Sequence, residues 1–319
     1  MKHISRVILL LFFVFSVGTV FAQDAAKKWV KYENNPVLGG ELGTCFDVTL
    51  LQEDGVFKMW FSWRPKKSIA YVESVDGITW TEPKIVLSPC STGWEDNINR
   101  CSVLRRGDVY YMWYTGQTND RSWIGFATSP DGIVWTRRFD KPVVSSEEDW
   151  EKVAVMCPDV TWDEEDGLYK MRYSAGEQYE PNAIGLATSP DGLNWTKYEN
   201  NPIFTPDKSN RWEQHKVTAA QFIKLDGWYY VFYIGFENEN LARVCIARSK
   251  DGVGNWERNP NNPIISPDEG KWDASACYKP YVIYDEKEDL WRLWYNGRNG
   301  GVEQIGMATL KGKDLGFDK

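Results

Sequence analysis

The stretch IGLATSPDGLNWTKYENNPIF, Ile184 to Phe204, decides the fold because both of its halves occur elsewhere in the chain. Its turn, SPDGLNW (Ser189 to Trp195), recurs as SVDGITW (Ser74 to Trp80), SPDGIVW (Ser129 to Trp135) and SKDGVGNW (Ser249 to Trp256). Its tail, KYENNP (Lys197 to Pro202), is written once before, at Lys31 to Pro36. A second marker keeps step with the turns: Trp94-Glu95, Trp150-Glu151, Trp212-Glu213 and Trp272-Asp273. Two markers in phase define a repeat of about 60 residues.

Each repeat has one grammar. In the third these are PDVTW, LYKMRYS, AIGLATS and LNWTKY, short segments rich in β-branched and aromatic residues with the alternation of strands. Ser-Pro-Asp-Gly suits a type I turn, with Pro at the second position and Gly at the fourth. Four strands per repeat make a propeller blade. Units beginning near Cys45, Cys101, Cys157, Ala219 and Cys277 give five blades, but the fifth ends in MATLKGKDLGFDK without a last Trp strand. KWVKYENNPV (residues 28–37) matches NWTKYENNPI (residues 194–203), so the amino terminus is expected to supply that strand. The expected fold is all-β, a five-bladed β-propeller whose ring is closed by the N-terminal strand joining the last blade, which protects an open edge.

The chain opens with Lys2 and Arg6 before an apolar run from Val7 to Val20 and a VFA end. That pattern predicts a signal peptide over residues 1–22 and a single propeller domain over 23–319, periplasmic or secreted, with no membrane span. A net charge of −8 argues against nucleic acid as partner. Seventeen Trp suit both a Trp-rich core and the stacking of sugar rings. Six widely spaced Cys without a CxxC signature read as buried hydrophobes rather than as disulfides or metal ligands. A monomer with no cofactor is expected, a structural calcium ion being left open.

The sequences IGLATSPDGLNWTKYENNPIF and IGFATSPDGIVWTRRFDKPVV resemble the blade repeat of the five-bladed propeller glycosidases, chiefly glycoside hydrolase families 32, 43 and 130. The resemblance implies an oligo- or polysaccharide substrate held on the propeller axis, with acids at the starts of the innermost strands. It places Asp47 of CFDVTLL at the first-blade acid. Where family 32 has R-D-P this chain has RCSV, with Arg100 kept and Cys101 in the acid's place, and where it has E-C-P this chain has MCPDV, with Met156 for the Glu. Family 43 implies a second acid in blade three, and Asp159 fits, lying eight residues before its turn Gly as Asp47 does. Thr218 stands where that family's Glu is expected, and the family 130 motif E-D-P-R is met only loosely by WEDNINR.

Glycoside cleavage requires a proton donor at the leaving oxygen and a carboxylate on the other face of the ring. Asp47 is the candidate base or nucleophile, and Asp159 a candidate to orient sugar or tune its neighbour. His215, alone of its kind after the signal segment, is the candidate donor, as in the similar family 117; Glu213 beside it competes. The loops between second and third strands differ from blade to blade, and such loops carry specificity. They bring Glu177, the loop acid to test first, with Glu180, Glu237 and Glu303, while Arg64, Arg121 and Arg298 are candidate substrate contacts along with Arg100, Lys216 and Tyr278. These residues point to a hydrolase, exo-acting on a furanoside or plant-glycan side chain, with a family 130-type phosphorylase and a non-catalytic sugar-binding propeller as alternatives.

Overall fold

The computed structural model describes residues 28–177 and 181–317; the expected signal peptide and Glu180 lie outside the described residues. A short strand β1 (Val30–Lys31) precedes four runs of four strands and one of three. The first unit is β2 (Cys45–Glu53), β3 (Val56–Trp63), β4 (Ser68–Ser74) and β5 (Lys84–Leu87), and the second is β6 (Asn97–Arg106), β7 (Val109–Thr118), β8 (Arg121–Ser129) and β9 (Thr136–Arg137). The third is β10 (Ala154–Asp163), β11 (Leu168–Gly176), β12 (Pro181–Ser189) and β13 (Thr196–Lys197), and the fourth β14 (Lys216–Leu225), β15 (Trp228–Phe236), β16 (Ala242–Ser249) and β17 (Glu257–Arg258). The last run is β18 (Ala276–Asp285), β19 (Leu290–Asn299) and β20 (Val302–Lys311). The fold is all-β, with three short 3-10 turns as the helical segments of the described residues.

Within each unit the strands pair antiparallel in chain order. β1 pairs with β20, Val30 opposite Thr309 and Lys31 opposite Ala308, so the last sheet runs β1-β20-β19-β18. The second and third units share one eight-stranded sheet through a single parallel bridge, Ala154 to Ser122; the other three sheets have four strands each, and none closes on itself. First strands touch in order: β2 with β6, β6 with β10, β10 with β14, β14 with β18, and β18 with β2. The core lies between neighbouring sheets. Trp60 and Tyr71 of the first unit pack with Val103 and Met112 of the second, and Met59 and Phe61 of the first pack with Trp294 and Met307 of the last.

The repeated markers explain themselves in this frame. Three of the four marker Trp rings lie against a glycine: a Cβ on Gly116 would stand 2.3 Å from Trp94, one on Gly185 2.8 Å from Trp150 and one on Gly297 2.3 Å from Trp272. Each marker acid is fully buried and accepts a tyrosine hydroxyl from the same unit, Tyr114 to Glu95, Tyr173 to Glu151, Tyr233 to Glu213 and Tyr295 to Asp273. Each also pairs with a cation on an outermost strand, Arg137, Lys197, Arg258 and, from β1, Lys31. A buried carboxylate persists only when so partnered. The KYENNP tail does the rest: Asn35 and Asn201 each bracket a third-strand residue, donating to the carbonyl and accepting the N–H of Met307 and Leu186 respectively.

Candidate active site

The first strand of every unit carries one extra residue. The register shifts between Phe46 and Thr49, Asn99 and Ser102, Met156 and Asp159, Thr218 and Gln221, and Tyr278 and Tyr281. Inside each bulge a non-glycine residue takes a left-handed backbone: Asp47, Arg100, Cys157, Ala219 and Lys279, at φ 41° to 52°. L-residues adopt this region rarely, and a bulge re-aims the side chain it carries. Asp47, Arg100, Cys157 and Ala219 thereby line one cavity of about 770 Å³. Its wall rises through Met156, Thr218 and Tyr278, then Asn97 and Lys216, with Arg64, Gln117, Phe236 and Arg298 at matching positions on or beyond the ends of the second strands. That volume falls in the range of small-ligand sites.

Two carboxylates anchor the cavity's charged wall. Asp47 is buried; its Oδ2 takes the Arg100 Nε at 2.9 Å and its Oδ1 the Asn296 Nδ2 at 2.8 Å. Burial works against the Arg100 charge, but Asp47 together with Cys157, Glu303 and Tyr278 outweighs it, so the guanidinium pKa is raised. Glu303, half-buried in the loop edge of β20, takes Arg64 at 2.9 Å. The two guanidiniums both lie over Phe46, Arg64 at 4.3 Å and Arg100 at 5.1 Å from the ring centroid. Burial, then Glu303, push the Tyr278 hydroxyl well above its usual pKa, which keeps it a protonated hydrogen-bond donor. Asp120 and Glu239 stand on the exposed rim.

Several expected residues lie elsewhere. Asp159 lines a separate cavity of about 500 Å³, and its register partner in the first unit is Thr49, not Asp47. Its Oδ2 accepts the Phe222 N–H of the next unit at 2.9 Å, as Thr49, Ser102 and Gln221 accept those of Val103, Val160 and Val282. Asp159 therefore ties units together, and burial raises its pKa. Glu213 is enclosed by Tyr233, Arg258 and the Asp207 N–H. His215 lines a neighbouring depression that shares Glu239 and Asn240 with the main cavity, so it stands at the rim. Glu177 is exposed and pairs with Lys152, Glu237 pairs with Arg211 and Arg243, and Arg121 opens β8 without lining the cavity. Arg100 was expected beside an acid position and itself occupies the bulge. Asp47, Arg64, Arg100, Lys216, Tyr278, Arg298 and Glu303 are brought together.

All six cysteines are unpaired. Among the described residues no group of three or more His, Cys, Asp or Glu side chains is disposed to hold a metal ion, and no helix is long and apolar enough to cross a membrane.

Residues 48–214, just over half of the chain, match the family model described as "Glycosyl hydrolases family 32 N-terminal domain"; the match begins one residue after Asp47. A 1,2-beta-oligomannan phosphorylase from Thermoanaerobacter sp. (strain X514) is 32% identical over an alignment of 190 residues that covers 51% of this chain and 60% of that relative. A solved structure from the GH130 family of mannoside phosphorylases, which contains glycoside hydrolases that target beta-1,2 mannosidic linkages in Candida mannan, superposes with a TM-score of 0.72 at 16% identity, over 94% of this chain and 98% of that one. A thermostable family-43 glycoside hydrolase gives 0.67 at 18% identity, over 88% and 96%. These structural neighbours speak for the fold alone, and the fold they share is the propeller glycosidase fold.

Proposed function

Because the chain belongs to the family of the glycosyl hydrolase family 32 N-terminal domain, we propose that it cleaves glycosidic bonds of an oligo- or polysaccharide in the cavity that holds Asp47 and Glu303. In this reading the five units are blades of one ring, closed where β1 pairs with β20, and the cavity lies at one end of its axis. Export, suggested by the leader-like start, and exo action on a furanoside or plant-glycan side chain belong to the same reading.

The observation that carries it is the state of Asp47. Both of its oxygens accept from donors, the Arg100 guanidinium and the Asn296 amide, which fix the carboxylate in the lining of the cavity. An anion so placed activates water or stabilises a cation-like sugar. Glu303, ion-paired with Arg64 and beside the donor Tyr278, is the other carboxylate of the charged wall and is assigned to hold the hydroxyl groups of the sugar. A second reading, phosphorolysis, is favoured by Lys216 and Arg298 in the cavity lining, side chains of the charge a phosphate requires, and by the phosphorylase relative.

The test is a screen of the purified chain against β-mannosides, arabinans and other plant and host glycans, with and without inorganic phosphate. Asp47→Asn and Glu303→Gln are expected to lower turnover on any cleaved substrate, Asp47→Asn by at least about a thousandfold, or about 4 kcal/mol of barrier. Phosphate-dependent release of sugar phosphate selects phosphorolysis. Near-normal turnover by Asp47→Asn overturns the assignment, and sugar binding without cleavage by the parent leaves a binding propeller.

A further inference from the structure

The bulge that presents Asp47 recurs in every unit, and in most units a side chain from the preceding unit grips its backbone. Ser62 Oγ accepts the Arg100 N–H at 2.8 Å, Thr115 Oγ1 that of Cys157 at 3.1 Å, and Ser174 Oγ that of Ala219 at 2.7 Å. These three residues share one register position, opposite Phe46, Asn99 and Met156. The fourth unit has Ile234 there, opposite Thr218. The last unit has Asn296, opposite Tyr278, and its Oδ1 accepts the Asp47 N–H at 3.1 Å.

A serine would complete that grip. The longer amide does something more: its Nδ2 donates to Asp47 Oδ1 at 2.8 Å. The two partners also fix the orientation of the amide, since its oxygen faces an N–H and its nitrogen a carboxylate. Asn296 is fully buried, so water does not compete for either bond.

We infer that Asn296 is a positioning residue which sets the plane and the charge of the Asp47 carboxylate, and that this one side chain couples the last unit of the chain to the chemistry of the first. The inference rests on the reading of Asp47 as the catalytic carboxylate. With Arg100 on one oxygen and Asn296 on the other, rotation of the carboxylate is blocked from both ends. A donor to the charged form also favours that form, and a reacting group displaced by about 1 Å can lose about a hundredfold in rate. Arg100, the thiols of Cys101 and Cys157, and the Tyr278 hydroxyl act on Asp47 from the elements around it, Lys279 acts on the same two thiols, and a change at Asn296 replaces none of these groups.

The decisive variant is Asn296→Ser, which restores the side chain that Ser62 and Ser174 use for the same backbone grip and removes only the donor to the carboxylate. The expected protein folds cooperatively and melts somewhat below the parent, by the loss of the one buried hydrogen bond. The Asp47 carboxyl resonance, followed by carbon-13 NMR against pH with Asp47→Asn as the assignment control, titrates at a higher pH than in the parent, and turnover falls by about ten- to a hundredfold with KM nearly unchanged. Asn296→Asp, which sets a second carboxylate against the first, raises the titration further. A merely structural Asn296 would leave Asn296→Ser like the parent in both readouts, and that result overturns the inference. Should the parent cleave no glycan, the titration alone decides: an unmoved midpoint overturns the role of Asn296, whereas a raised one sustains it and the failure falls on the proposed reaction.

Discussion

Asp47 and Glu213 are both buried carboxylates beside an arginine, and what separates them is what remains open around each. Glu213 has Arg258 and the Asp207 N–H on Oε1 and the Tyr233 hydroxyl on Oε2, and it lies between sheets. Asp47 has one donor on each oxygen and a cavity in front. Glu213→Gln is therefore expected to cost about 2 kcal/mol of stability, the worth of hydrogen bonds to a charged group, with turnover kept. Asp47→Asn is expected to lose turnover. Urea unfolding and steady-state kinetics on both variants check the pair, and a Glu213→Gln protein as stable as the parent but inactive would reverse the assignment. In the sequence the two were distinguishable only in part. Repetition of Trp-Glu in unit after unit marked Glu213 as architectural, whereas nothing local marked Glu303, one of several loop acids, because its role depends on which way its loop faces. Asn296 is marked in the sequence by its departure from the repeat: in WFSW, WYTG, RYSA, FYIG and WYNG the aligned position runs Ser, Thr, Ser, Ile, Asn.

At the scale of elements the strands and turns were legible because hydrogen bonding within one turn fixes its sequence. In SVDGITW, Asp76 accepts the Ile78 and Thr79 N–H groups at 2.8 and 2.7 Å and the Ser74 hydroxyl at 2.8 Å, and Asp131, Asp191 and Asp251 repeat the set. Partial burial opposes the Asp76 charge, but these N–H donors outweigh it and hold the carboxyl at about 2. A folded pKa below the unfolded value gives stability that is present above pH 3.8 and is lost as pH falls toward about 2. The melting temperature is accordingly expected to fall over this window, and the gap between parent and Asp76→Asn, measured by calorimetry at pH 5, to close by pH 2. A gap constant across the window would mean that the charge contributes nothing. The bulges were not legible, since a bulge is a property of pairing and not of one strand. Counting back from the turn Gly put Asp159 level with Asp47, but two residues, Asp54 and Gly55, join β2 to β3 while four, Glu164 to Gly167, join β10 to β11. Those two extra residues move Asp159 to the position of Thr49.

At the scale of the whole molecule, β1 pairs with β20 as β13 pairs with β12. Lys31 Nζ reaches Asp273 at 2.6 Å, Asp268 at 2.9 Å and the Ser266 carbonyl at 2.5 Å. Lys197 Nζ reaches Glu151 at 2.7 Å, Glu147 at 3.2 Å and the Ser145 carbonyl at 2.7 Å. The partners correspond one for one, although Lys197 lies a few dozen residues from its partners in sequence and Lys31 more than two hundred from its own. Asp273 and Glu151 are both fully buried, so loss of the cation leaves an uncompensated charge in the interior, a defect worth about 3 kcal/mol. Lys31→Met and Lys197→Met are thus expected to lower the free energy of unfolding by the same amount, about 3 kcal/mol each, in urea titrations at neutral pH. The equality is the informative part. If the amino-terminal strand only rests on the edge of the last sheet, it frays without disturbing the rest, and Lys31→Met costs well under 1 kcal/mol while Lys197→Met keeps its full effect. Equal losses mean that the two ends of the chain are held together as firmly as any two strands inside it, and that the Asn296 to Asp47 contact spans an interface as rigid as those between units joined by the chain.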